Sequence, residues 1–163
     1  MKMKLFSKAA VLGLLAGSAL FVTSCSKEDS TNNNGSGQMY TISGSGSGTQ
    51  VVPVVSTTAT SNLTGTFNST TNVLQYNITW TGLASTANAV RFFGPAATGV
   101  NAAGSAQFDL GISTPGVAGA ATGTVTLNAQ QESDLLAGNW YYTISNATYA
   151  TGEVRGQVVT AVQ

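Results

Sequence analysis

The stretch Val73 to Trp80 constrains the fold more than any other part of this chain. Leu74, Tyr76, Ile78 and Trp80 alternate with Gln75, Asn77 and Thr79. A period of two puts the first set on one face of a strand and the second on the other. Such a strand belongs in a sheet with one buried side and one wet side.

The same reading extends along the chain. Further strands are expected at Met39–Ile42, Gln50–Val55, Leu63–Asn68, Ala89–Phe93, Ala106–Ile112, Gly123–Asn128, Trp140–Ser145 and Val154–Thr160. Gly, Asn, Ser and Pro punctuate them at turns. Gln130 to Ala137 is the one helical turn expected, with Gly138 as its stop. Ser43 to Gly48, reading SGSGSG, is expected to be a long mobile loop between strands. Many short strands of this kind predict an all-β domain: an antiparallel sandwich, immunoglobulin-like, or a barrel, with about seven to nine strands.

The N-terminal end carries a different signal. Lys2, Lys4 and Lys8 precede an uncharged, mostly apolar run from Ala9 to Val22. Its length matches the ~7–15 residues of a signal-peptide core and falls short of the ~20 that span a bilayer. Leu20 to Cys25 then resembles the lipobox of bacterial lipoproteins, in which the cysteine is acylated and becomes the new N-terminus. Residues 1–24 therefore read as a signal peptide, residues 25–38 as a lipidated Cys25 with a flexible tether, and residues 39–163 as the folded domain. Ser26 to Gln38 has no apolar residue to offset the entropy of ordering. As a coil it would span roughly 20 Å. Ser26-Lys27-Glu28-Asp29 resembles a tag for the outer face of the outer membrane, so the expected location is lipid-anchored in that membrane and facing the exterior.

Charge excludes several functions. After the signal there are three cations (Lys27, Arg91 and Arg155) against six acids (Glu28, Asp29, Asp109, Glu132, Asp134 and Glu153). A surface with so few Lys and Arg cannot neutralise a run of phosphates, so nucleic acid is not an expected partner. The chain has no histidine and one cysteine. No internal disulfide and no Cys/His metal site is therefore expected, nor any cofactor. Catalysis would fall to Asp109, Glu132, Asp134 and Glu153, without a histidine or free thiol to assist.

Four stretches then stand out: Val52-Pro53-Val54, Thr81-Gly82-Leu83, Gly94-Pro95-Ala96 and Gly152-Glu153-Val154-Arg155-Gly156-Gln157. In order and spacing the domain resembles the CHRD family, named from repeats in chordin and also found alone in bacterial proteins. The family typically reads His-Ile-His-Gly-Pro-Ala where this chain has Arg91 to Ala96, and it tends to carry a further histidine at the position of Ser145. Arg91, Phe93 and Ser145 stand in those places here. Arginine does not give up its proton to become a ligand, and phenylalanine has no donor atom. No bound metal is thus expected for this chain.

Two readings of Gly152, Glu153, Arg155, Gly156 and Gln157 follow. In the structural one, favoured here, the charges point to one face of a strand and pin neighbouring loops, while the glycines allow close backbone approach. In the other, Arg155 recognises an anionic ligand. The resemblance implies a non-catalytic module, binding protein or glycan at the cell surface. The expected contact comprises Arg91, Phe93, Gly94 and Pro95 with the loop Gly94 to Gly104, expected to be exposed. The alternatives are a self-associating envelope protein and, less favoured, a hydrolase using a carboxylate pair.

Overall fold

The computed structural model describes residues 37–104 and 106–163. The signal region, Cys25 and nearly all of the tether lie outside the described residues. Nine strands follow in chain order: β1 (Met39–Ser47), β2 (Thr60–Asn68), β3 (Val73–Thr81), β4 (Ala87–Phe93), β5 (Phe108–Leu110), β6 (Gly119–Thr126), β7 (Tyr141–Asn146), β8 (Val154–Gln157) and β9 (Val159–Val162). One helix, α1 (Ala129–Leu136), and a 3-10 turn at Gly48–Gln50 complete the regular structure.

Every strand belongs to one antiparallel sheet in the order β5-β4-β7-β8-β1-β2-β3-β6, with β9 also pairing β1. The two ends of that sheet meet beyond β5, where the N–H groups of Ser113 and Thr114 donate to the carbonyl of Ala120. Of sandwich and barrel, the molecule is a nearly closed barrel. All-β architecture and strand number agree with the alternating sequence pattern.

β3 has the period that the sequence prescribes. Leu74, Tyr76, Ile78 and Trp80 are buried, and Gln75, Asn77, Thr79 and Thr81 are exposed. Inside the barrel these residues meet Leu63, Phe67, Val90, Phe92, Trp140, Tyr142, Ile144 and Val154. Phe92 lies at the centre of an aromatic group, 5.6 Å edge-on to Tyr76 and 5.7 Å from Trp140. Each such ring or branched side chain contributes about 1.5–3 kcal/mol by leaving water. Helix α1 begins where Asn128 accepts from the Gln131 N–H and the Gln131 side chain accepts from the Asn128 N–H, a reciprocal cap. Leu135 anchors it to the core.

Three sequence expectations are corrected. Ser43–Gly48 is no mobile loop: Ser43 to Ser47 continue β1, hydrogen-bonded to β2 on one side and to β9 and β8 on the other. Its glycines are there for space. A Cβ on Gly46 would lie 2.2 Å from Ser61 Oγ and 3.0 Å from the Tyr142 hydroxyl. The opposite Gly156 would collide with the Tyr142 ring at 2.6 Å. That bare patch of wall lets Tyr142 turn into the core, where its hydroxyl bonds Ser61 at 2.9 Å and burial pushes its pKa up to about 12. Second, Gln50–Val55 is no strand: it is the end of the 3-10 turn and a bend, with Val52 and Val54 exposed. Third, Val154–Thr160 divides at the buried Val158 into β8 and β9, which pair with different parts of β1.

Candidate functional site

The outer face of β4, β7 and β8 is where the barrel wall is covered. In β7 all six residues are buried, so both faces of that strand are occluded. Tyr142 and Ile144 point into the core. Tyr141, Thr143 and Ser145 alternate with them and face outwards. Register then aligns side chains across three strands: Arg91 opposite Thr143 opposite Arg155, and Phe93 opposite Tyr141 opposite Gln157. Asp109 on β5 extends the first row beyond Arg91.

Three connections close over these rows: Val51–Pro53 before β2, Asn101–Ala102 between β4 and β5, and Ala150–Thr151 between β7 and β8. Together they enclose a cleft of about 320 Å³ that also exposes Arg91, Phe93, Tyr141, Thr143, Ser145 and Arg155. The β4–β5 connection is tied down at three points. Its Val100 carbonyl accepts from Arg155 Nη2 at 2.7 Å, its Asn101 amide donates to the Val52 carbonyl at 2.9 Å, and its Ala102 N–H donates to the Tyr141 hydroxyl at 3.1 Å. A second cavity of about 340 Å³ adjoins the first and shares Val51, Val52 and Arg155 with it.

Arg155 is 2 % exposed. Its guanidinium carbon stands 3.8 Å from the centre of the Tyr141 ring, a cation–π stack, and the same ring stacks on Phe93 at 5.3 Å. Burial lowers the Arg155 pKa and attraction to Tyr141 opposes that shift; an arginine stays charged at neutral pH all the same. Among the described residues Arg155 Nη1 has no hydrogen-bond partner and no carboxylate pairs with the side chain. Arg91, in contrast, is half exposed and engages Asp109 through its Nε.

Glu153 is fully buried at the lower end of the same wall. Its carboxylate accepts from the Thr57 hydroxyl at 2.6 Å, from the Ala84 N–H at 3.0 and 3.1 Å, and from the Asn146 side-chain amide. Asn146 in turn receives the N–H groups of Thr148 and Tyr149. One carboxylate thus holds together the segment after Val52-Pro53-Val54, the turn at Thr81-Gly82-Leu83 and the β7–β8 connection. Gly152, at φ +126°, lies against Thr143 where a Cβ would be 3.4 Å away. Gln157 Nε2 donates to the Gly138 carbonyl at 2.7 Å.

Each residue singled out from sequence now has a place. Arg91, Phe93 and Ser145 come from two strands to one cleft, and Arg155 joins them from a third. Gly94 and Ala96 correct the expectation of an exposed loop. Both are buried, because Gly94 packs against Trp140 with no room for a Cβ (2.6 Å) and the Ala96 N–H donates to the Asn139 carbonyl. Pro95 and residues 97–101 are exposed. Cys25 lies outside the described residues. Glu132 and Asp134 sit on α1, away from the cleft lining. Among the described residues no three His, Cys, Asp or Glu side chains come together as a metal site.

Sequence reasoning missed Tyr141 and Thr143 as cleft residues and Thr57, Ala84 and Asn146 as the partners of Glu153. The signal for the first two was present, since Tyr141, Thr143 and Ser145 alternate with Tyr142 and Ile144 along one expected strand. Of the partners of Glu153, Thr57 and Ala84 are 96 and 69 residues away along the chain and Asn146 only seven, and none carries a pattern.

No curated protein and no solved structure matches this chain. The family comparison does give a match: the model described as CHRD domain covers residues 42–158, from the middle of β1 to the residue between β8 and β9. The four stretches singled out from the sequence all fall inside that span, and the chain belongs to the CHRD domain family, a family of non-enzymatic modules.

Proposed function

We propose that this protein is a lipid-anchored, non-catalytic binding module, held to the outer membrane through Cys25 and presenting its barrel to the exterior. The tether lifts the domain clear of the headgroups, and the cleft on β4, β7 and β8 takes up a protein or glycan partner. The observation that supports this most is the covered wall itself. Loops positioned by a rigid scaffold are the usual place for recognition, and here the pinned β4–β5 connection borders a concave cleft with Arg91 at its side. The titratable groups that line the cleft, Arg91, Tyr141 and Arg155, include no carboxylate or histidine for acid–base work.

Self-association through strand edges has less support, because closing a sheet removes edges. The bonds from Ser113 and Thr114 to Ala120 occupy the free side of β6 at its first residues.

Two measurements test the reading. Mass spectrometry of the membrane fraction should find an acylated peptide beginning at Cys25, and an intact Met1 end or an unmodified thiol would refute the anchor. Cross-linking on intact cells should recover a partner set that the folded Arg91→Ala variant loses. A full partner set on that variant would move the contact elsewhere.

A further inference from the structure

We propose that the cleft receives an acidic sugar, with the carboxylate of a uronate residue bound between Arg155 and Arg91 and its ring against Phe93, the outer member of the Arg155–Tyr141–Phe93 stack. This rests on the reading of the domain as a binding module and gives that module its ligand class.

The first argument is charge. Arg91 and Arg155 are the only cations in residues 37–163, and both line this one cleft. No acidic side chain lines it: Asp109 bonds Arg91 from the solvent side with 77 % of its own side chain exposed, and the Glu153 oxygens are taken up by Thr57, Ala84 and Asn146. A buried guanidinium without a counter-ion is unfavourable unless something anionic completes it. Arg155 is such a group, with Nη1 lacking a partner.

The second argument is the pattern of unused polar atoms. Thr143 and Ser145 are 6 % and 3 % exposed and line the cleft, and no side-chain hydrogen bond within the described residues involves either hydroxyl. Thr143 stands in register between the two arginines. Strands are ~4.8 Å apart, so Arg91 and Arg155 start roughly 10 Å from each other and can converge on one group lying over Thr143. The wall therefore offers guanidinium donors for a planar carboxylate, hydroxyls for ring oxygens and, since Arg155 and Phe93 cover the two faces of Tyr141, the Phe93 ring as the aromatic surface for a sugar.

The third argument is size and charge count. The volume of about 320 Å³ lies at the lower end of the ~300–1,000 Å³ typical of small-molecule sites, which suits a single sugar unit. A planar carboxylate matches the arginine fork with two parallel hydrogen bonds. Its single negative charge suits a cleft in which one of the two cations already bonds an acid.

The test is titration calorimetry on the whole lipidated protein extracted in neutral detergent, with glucuronate, glucose and a short glycine peptide with a free C-terminus as probes. Glucuronate should bind at least tenfold more tightly than glucose. Arg91→Gln should weaken glucuronate about tenfold and leave its advantage over glucose largely abolished, with an unchanged melting temperature as the control for folding. Ser145→Ala should weaken both sugars by a few-fold and serves if Arg91→Gln is unstable. Equal binding of glucuronate and glucose would overturn the carboxylate contact. Binding of the peptide in preference to glucuronate would overturn the sugar while leaving the module. Failure of every probe to bind would overturn the ligand class, and the cross-linking result would still judge the module by itself.

Discussion

Two stretches of the same barrel wall have opposite fates. On β1, β2, β3 and β6 the outward side chains form uncharged rows. Ser43, Thr64, Asn77 and Thr122 stand in one register row, with Ser45, Asn62 and Thr79 in the next. All of them are exposed. On β4, β7 and β8 the outward side chains are Arg91, Phe93, Tyr141, Thr143, Ser145 and Arg155, and loops cover them. On the open wall hydroxyls and amides are free to bond water, except that Thr122 bonds Ser113. On the covered wall every polar group needs a partner within the protein or in the cleft. The difference shows that exposure, rather than polarity, decides whether the side chains of a sheet face stay in water or line a cleft. A row of threonines in water is merely solvated, whereas the same group under a pinned loop has its surroundings fixed by the protein.

The comparison can be broken first at Glu153. Glu153→Ala removes a fully buried carboxylate and leaves donors from Thr57, Ala84 and Asn146 unpaired. The expected loss is about 3–5 kcal/mol, as when one partner of a buried charged network is removed. Thermal unfolding followed by circular dichroism should fall by more than ~10 °C. A change within a couple of degrees would mean that the loops are held by something other than this carboxylate.

Arg155→Ala comes next. It removes the bond to the Val100 carbonyl and the stack on Tyr141, and also a charge without a counter-ion, which moderates the loss. About 1–3 kcal/mol is expected, a drop of several degrees in melting temperature. An unchanged melting temperature would show that the β4–β5 connection does not depend on this arginine.

The smallest effect belongs to the open wall. Asn77→Ala and Thr79→Ala, alone or together, should change stability by no more than about 0.5 kcal/mol, as surface substitutions away from special features do. A loss comparable to that of Arg155→Ala would show this wall to be structurally committed as well, and the contrast between the two faces would fail.

How much of this was legible in the sequence depends on where each signal lives. The alternation in Val73 to Trp80 is local, so β3 could be read residue by residue, and α1 could be placed to within one residue at each end. The SGSGSG stretch could not. Glycine and serine carry no apolar period, and β1 is a strand there because β2, β8 and β9 flank it and Tyr142 needs the space. Gln50–Val55 misled in the opposite direction, since its valines look like a strand but serve as a cover, partly exposed, over two cavities.

By itself the sequence determined an all-β antiparallel domain and the scarcity of charge that made two arginines conspicuous, while its resemblance to the CHRD family marked Arg91, Phe93, Ser145 and Arg155 as the positions to watch. Periodicity and composition act over a few residues, and a linear chain can carry them. Only the tertiary structure decided that the sheet closes into a barrel, that these four residues share one cleft, and that Glu153 joins segments 69 and 96 residues away from it. Those outcomes depend on register between strands distant in sequence. Register is set by the whole set of side chains that must fit inside the barrel together, Tyr142 over Gly46 and Gly156 among them.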